Sequence, residues 1–92
     1  MSNDKHPASD AFLLHLGDAI RHRRINLYLS QEELGSRAGL HRTYVTDVEN
    51  GLRNISMVTL LRISKALKSR PSASILAAEK ATNNGHSEDQ FH

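Results

Sequence analysis

The chain has 92 residues, 38% of them hydrophobic, which allows one small domain with one modest core and excludes a second. It has no cysteine, which excludes disulfide staples and thiolate metal sites and leaves stability to helix packing, alone or with a partner subunit. Net charge is only +2, yet the stretch from Arg21 to Arg70 holds ten Lys/Arg against four acids (Glu32, Glu33, Asp47, Glu49), or +6, which fits a polyanion partner as well as a solvated surface. No apolar run approaches the roughly 18 residues of a membrane span, and the polar opening MSNDKHPASD lacks a signal core. The expectation is a soluble cytoplasmic protein that makes no membrane contact.

Residues 1–9, polar and containing Pro7, read as a flexible arm. Ser9 or Asp10 can cap a helix over 10–26. Phe12, Leu13, Leu16, Ala19, Ile20 and Leu27 recur there at three- and four-residue steps and form one apolar stripe. Ser30 and Glu33 form a capping box that starts a helix over 31–38, with Leu34 and Ala38 inward. Gly39 suits the left-handed backbone that ends a helix, and Leu40 follows as a buried hinge residue. A third helix is expected over 42–50, with Tyr44, Val45 and Val48 on its inner face and Gly51 ending it. Ser56 caps a fourth over 57–68, where Met57, Leu60, Leu61, Ile63 and Leu67 are apolar. Pro71 breaks that helix and opens a fifth, whose small apolar face is Ile75, Leu76 and Ala78. Residues 81–92 are polar and turn-rich and read as a disordered tail. The result is an all-α domain over 10–80, without repeats or strand-like alternation.

The stretch from Ser30 to Asn54 reads as a helix–turn–helix, two short helices joined by a tight turn at Gly39. The apolar positions of its second helix leave Arg42, Thr43 and Asp47 on a free face. A helix displayed in this way on a basic domain can enter the DNA major groove. Gln31, Leu34, Ala38, Gly39, Leu40, Tyr44, Val45, Val48, Glu49 and Gly51 resemble the pattern of the Cro/Xre family of phage and bacterial regulators, and the likeness extends over residues 12–78. Arg42, Thr43, Tyr44 and Val45, then Glu49, then Arg53, Asn54, Ile55 and Ser56 are similar to the matching run in controller proteins of restriction–modification systems. The resemblance implies a compact five-helix, lambda-repressor-like fold. It also implies a homodimer that binds double-stranded DNA on a palindromic operator, without a cofactor, in a bacterial or phage nucleoid setting.

A recognition helix reads bases from its N-terminal turn, because that end dips into the groove. Arg42 is placed for a bidentate contact to guanine. Thr43 can meet a phosphate, a base edge or a thymine methyl. Asp47, one turn on, can accept from a cytosine amine, orient Arg42 or stay solvated. Thr46 faces similarly but is short. Tyr44 either donates its hydroxyl to a phosphate or packs its ring in the domain wall. By resemblance Gln31 contacts a phosphate from the positive end of its helix, with capping as the alternative. Also by resemblance, Arg53 and Asn54 lie in a loop that touches the DNA backbone, and Arg53 can reach a base. His41 caps the third helix, with a DNA contact as the lesser role. Arg24 and Glu49 match a pair that forms an ion pair between helices one and three in the family, which makes them structural first. Ile75 and Leu76 are the candidates for the dimer interface, the alternative being that they only close the monomer core.

Other chemistries have less support. Six histidines (6, 15, 22, 41, 86, 92) include no i, i+4 pair; His15 and His22 share a face, but two ligands do not make a metal site. There is no cysteine nucleophile, glycine-rich phosphate loop or recognisable acid pair, so no enzyme is expected. The competing class is an antitoxin-like subunit that binds a protein partner through its last helices.

Overall fold

The computed structural model describes residues 7–84. They form five α-helices: α1 (Pro7–Asn26), α2 (Gln31–Ala38), α3 (Arg42–Glu49), α4 (Met57–Ala66) and α5 (Pro71–Asn84). No strand occurs among the described residues. The all-α, five-helix expectation and the start of each helix from α2 onward match the architecture.

The ends carry the differences. Residues 7–9, assigned to the arm, are the first turn of α1. Pro7 opens that helix because its fixed φ is already helical and its missing N–H falls where no helical acceptor exists. Residues 81–84, assigned to the tail, continue α5. No glycine or proline intervenes before Gly85, and the Thr82 hydroxyl donates back to the Ala78 carbonyl at 2.8 Å. The remainder of both segments, 1–6 and 85–92, lies outside the described residues. Helix α4 stops at Ala66, two residues early, because Lys68 takes a left-handed backbone (φ 54°). Helix α3 ends one residue early, with Asn50 as its cap.

Side-chain caps define the middle helices. The Ser30 hydroxyl accepts from the Glu33 N–H at 2.9 Å, and the Glu33 carboxylate accepts from the Ser30 N–H at 2.7 Å. The Ser30 backbone N–H, followed by its hydroxyl, lowers the pKa of the Glu33 carboxyl below its ordinary value. Gly39, at φ 72°, closes α2 as expected. Ser56 caps α4 by accepting from the Thr59 N–H at 3.0 Å.

The core draws on every helix: Leu16 and Ile20 of α1, Leu34 and Ala38 of α2, Val45 and Val48 of α3, Leu60 and Ile63 of α4, Ala78 of α5, with Leu29 and Leu67 from the turns. Helix α1 packs against α3 and α5, and α2 packs against α3 and α4. Leu40 is half-buried, not fully buried, and of the apolar α4 residues Met57 and Leu61 are exposed. Two arginines act as clamps between helices. Arg23 donates to the Leu67 and Lys68 carbonyls at 3.0 Å each, tying α1 to the end of α4. Arg62 donates to the Ala38 and Gly39 carbonyls at 3.0 and 2.8 Å, tying α4 to the end of α2. Both satisfy carbonyls that a helix terminus leaves open and place positive charge at its negative end.

Gly17 sets the distance between α1 and α3. A Cβ at this position would lie 2.3 Å from the Val48 carbonyl oxygen and 2.6 Å from that of Glu49. Both are backbone atoms and cannot step aside. Gly17→Ala is expected to lower unfolding free energy by about 2–3 kcal/mol through overpacking. Urea denaturation measures it, and a loss under half a kcal/mol would mean that α1 can shift freely against α3.

Candidate nucleic-acid interface

Val45 and Val48 turn the inner face of α3 into the core. That leaves Arg42 and Thr43 exposed at its N-terminus and Thr46 and Asp47 half-buried one turn later. The His41 ring caps this helix, its Nδ1 accepting from the Thr43 N–H at 3.0 Å, so the capping role holds. Arg42 and Thr43 therefore stand on a helix end whose backbone is already ordered.

A buried polar chain holds α3 in place. Glu49, with 1% of its side chain exposed, accepts from Arg24 Nε at 2.7 Å and from Arg24 Nη2 at 3.0 Å. This is the ion pair expected from the resemblance, and its geometry is bidentate. Gln31 Nε2 donates to the same carboxylate at 3.0 Å. Gln31 Oε1 accepts from the Thr46 hydroxyl at 2.8 Å, and that hydroxyl also lies 3.1 Å from the Arg42 carbonyl. The chain Arg24–Glu49–Gln31–Thr46 thus links α1, α2 and α3. Both polar atoms of the Gln31 amide are engaged inside the protein, and Thr46 has given up its one hydroxyl proton. Toward a ligand Gln31 retains one amide hydrogen and its backbone N–H, and Thr46 retains its methyl group and oxygen lone pairs.

A second cluster follows α3. Arg53 Nε lies 3.4 Å from Asp47 Oδ2, and its guanidinium sits 4.9 Å from the Tyr44 ring centroid. Asp47 therefore pairs with Arg53, not with Arg42, because the chain leaving Gly51 folds back over α3. The Tyr44 ring is half-buried and packs against the core, supporting Arg53 from below. Asn54 is exposed.

Five of the described arginines serve different ends: Arg23, Arg24 and Arg62 are spent on carbonyls and on Glu49, whereas Arg42 stands at the N-terminus of α3 and Arg53 beside Asp47. Composition does not separate them, and Arg62, in the middle of α4, carries no local signal of its clamp. On α5, Ile75 packs against the core while Leu76 is 51% exposed. Leu76 is the more available of the two interface candidates. Ile75 lines an open apolar groove of about 510 Å³ together with Phe12, Leu13, Ile55 and Met57. Among the described residues, no group of three or more His, Asp or Glu could hold a metal, and no helix is long and apolar enough to cross a membrane.

Residues 20–73 match the profile of the helix–turn–helix family. Control protein C.BamHI of Bacillus amyloliquefaciens is 42% identical over 59 residues, spanning 63% of this chain and 73% of its own length. Control protein C.SmaI of Serratia marcescens is 50% identical over 46 residues, 50% of this chain and 54% of that protein, so the match covers only about half of that relative. The crystal structure of the restriction-modification controller protein C.AhdI from Aeromonas hydrophila superposes with a TM-score of 0.66 at 40% identity, covering 67% of this chain and 94% of that one.

Glu49→Ala is expected to cost about 3–5 kcal/mol, because it leaves the Arg24 charge in a poorly solvated site. Gln31→Ala is expected to cost about 1 kcal/mol by removing the bridge between Glu49 and Thr46. Equilibrium denaturation checks both. Wild-type stability in the Gln31 variant would show that the bridge contributes nothing to the fold.

Proposed function

The chain belongs to the Cro/Xre-type helix–turn–helix family, and from that premise we propose that it is a sequence-specific DNA-binding transcription regulator of the restriction–modification controller kind. The observation that carries this reading is the N-terminal turn of α3. Arg42 and Thr43 are exposed there, on a helix capped by His41 and locked by the Arg24–Glu49–Gln31–Thr46 chain. A preordered helix end loses little further entropy when it enters a groove.

Arg42 reads a guanine edge through two N–H groups of its guanidinium fork. Thr43 reads its neighbour, Asp47 accepts from a cytosine amine when Arg53 moves off it, and Thr46 offers its methyl group. Gln31 reaches a phosphate through its helix N-terminal N–H, and Arg53 and Asn54 reach the backbone beyond α3. Tyr44 and His41 add phosphate contacts from either side of Arg42. The protein acts by binding, without a cofactor and without catalysis, in the cytoplasm of the cell that carries its gene.

The exposed apolar side chains of Met57, Val58, Leu61 and Leu76 support homodimerisation. A two-fold axis would set two α3 helices about 34 Å apart on a palindromic site. A protein partner on the same surface is the competing reading; its signature is co-purification of a second protein in fixed ratio.

Arg42→Ala should weaken binding to the selected site by about 1–3 kcal/mol and relax the preference at one base pair. Equal loss on every sequence would move Arg42 to a phosphate role. Affinity should fall steeply with salt, with a log–log slope near −0.9 per phosphate contacted; a flat response would sink the DNA reading. In sedimentation, Leu76→Glu should convert a micromolar dimer to a monomer that still unfolds cooperatively. A monomeric wild type would overturn the dimer.

A further inference from the structure

The turn between α1 and α2 contains a residue that neither the backbone nor the core asks for. Helix α1 closes with the Tyr28 N–H donating to the Ile25 carbonyl at 2.9 Å and the Leu29 N–H donating to the Arg24 carbonyl at 3.1 Å. This closure needs a left-handed residue, and Tyr28 supplies it at φ 59°. Gly39 and Gly51 hold the comparable positions elsewhere, at φ 72° and 75°. A Cβ is disfavoured there, most of all in a bulky residue. Lys68, the other exception, is a cationic residue just past the C-terminus of α4, a charge that Tyr28 lacks. Packing does not compensate either, because Tyr28 is 93% exposed.

The position is also rigid. The next residue, Leu29, is buried, and its carbonyl accepts from Arg24 Nη1 at 2.8 Å, the same guanidinium that binds Glu49. Two residues on, the Ser30 capping box starts α2, and Gln31 reaches across to Thr46 and Glu49 of α3. Tyr28 is thus held at a fixed place just outside the N-terminus of α2, on the side of the motif that α2 shares with the middle of α3.

We propose that Tyr28 contacts the DNA backbone at the outer edge of each half-site, donating its phenol hydroxyl to a phosphate oxygen beyond the bases that α3 reads. A phenol is a good donor to phosphate, and its rigid ring carries little entropy to lose on binding. The strained backbone is retained because the contact needs a long side chain at a position whose geometry favours glycine. This inference rests on the DNA-binding reading.

The test uses the duplex that the full chain selects from a random pool. Tyr28→Gly relieves the backbone and should fold with a melting temperature at or above that of the wild type. It should bind the selected duplex about fivefold more weakly per protomer, the loss expected for one hydrogen bond, and Tyr28→Phe should lose as much. Ethylation of one phosphate outside the base contacts should impair the wild type and leave Tyr28→Gly unaffected. Wild-type affinity in Tyr28→Gly would overturn the contact, and wild-type affinity in Tyr28→Phe alone would overturn the hydroxyl's part in it. Failure of the wild-type chain to select any duplex would instead defeat the DNA-binding reading beneath it.

Discussion

The carboxylate of Glu49 is the point on which the placement of α3 depends. It is buried beside Val45 and Val48, in a place where an unpaired charge would be poorly tolerated. Two donors from Arg24 and one from Gln31 satisfy it. Those donors come from α1 and α2, so neutralising one charge also fixes the orientation of three helices. Gly17 lets the backbones of α1 and α3 approach closely enough for the Arg24 fork to reach. The polar chain continues through Gln31 to Thr46, and from there to the carbonyl of Arg42. Arg42, exposed at the N-terminus of α3, is therefore three polar contacts from the buried carboxylate.

This arrangement separates the work of similar side chains. Arginine serves the fold at positions 23, 24 and 62, where the guanidinium closes helix ends or meets a buried acid. At positions 42 and 53 it stands at the surface, and at 53 it rests against Tyr44 and Asp47. These two contacts hold Arg53 near α3. The polyanion footprint is consequently narrower than a count of charges over Arg21 to Arg70 suggests.

Much of this was legible in order along the chain. The Ser30–Glu33 box, Gly39, Ser56 and Pro71 act within a few residues of themselves, so their helices start or stop where local chemistry places them. Apolar spacing placed Leu16, Ile20, Leu34, Val45, Leu60 and Ile63 in the core. The ends of α1 and α5 were less legible, because Pro7 can either open a helix or precede one, and polar residues such as Thr82 continue a helix that has already nucleated. Tyr28 left no trace in the pattern at all, since a left-handed residue that is not glycine follows from the closure of the turn and not from its own preference.

The sequence by itself determined the helix–turn–helix, the five-helix class and the residues that α3 displays, because periodicity and capping are short-range effects. Only the tertiary structure decided how those residues divide. It committed Gln31 and Thr46 to the chain that ends at Glu49, gave Asp47 to Arg53 and not to Arg42, sank Ile75 against the core and left Leu76 out. Each of these choices depends on groups from different helices meeting at hydrogen-bond or van der Waals distance. Such distances are set by close approaches like that at Gly17, which no local pattern in the chain records.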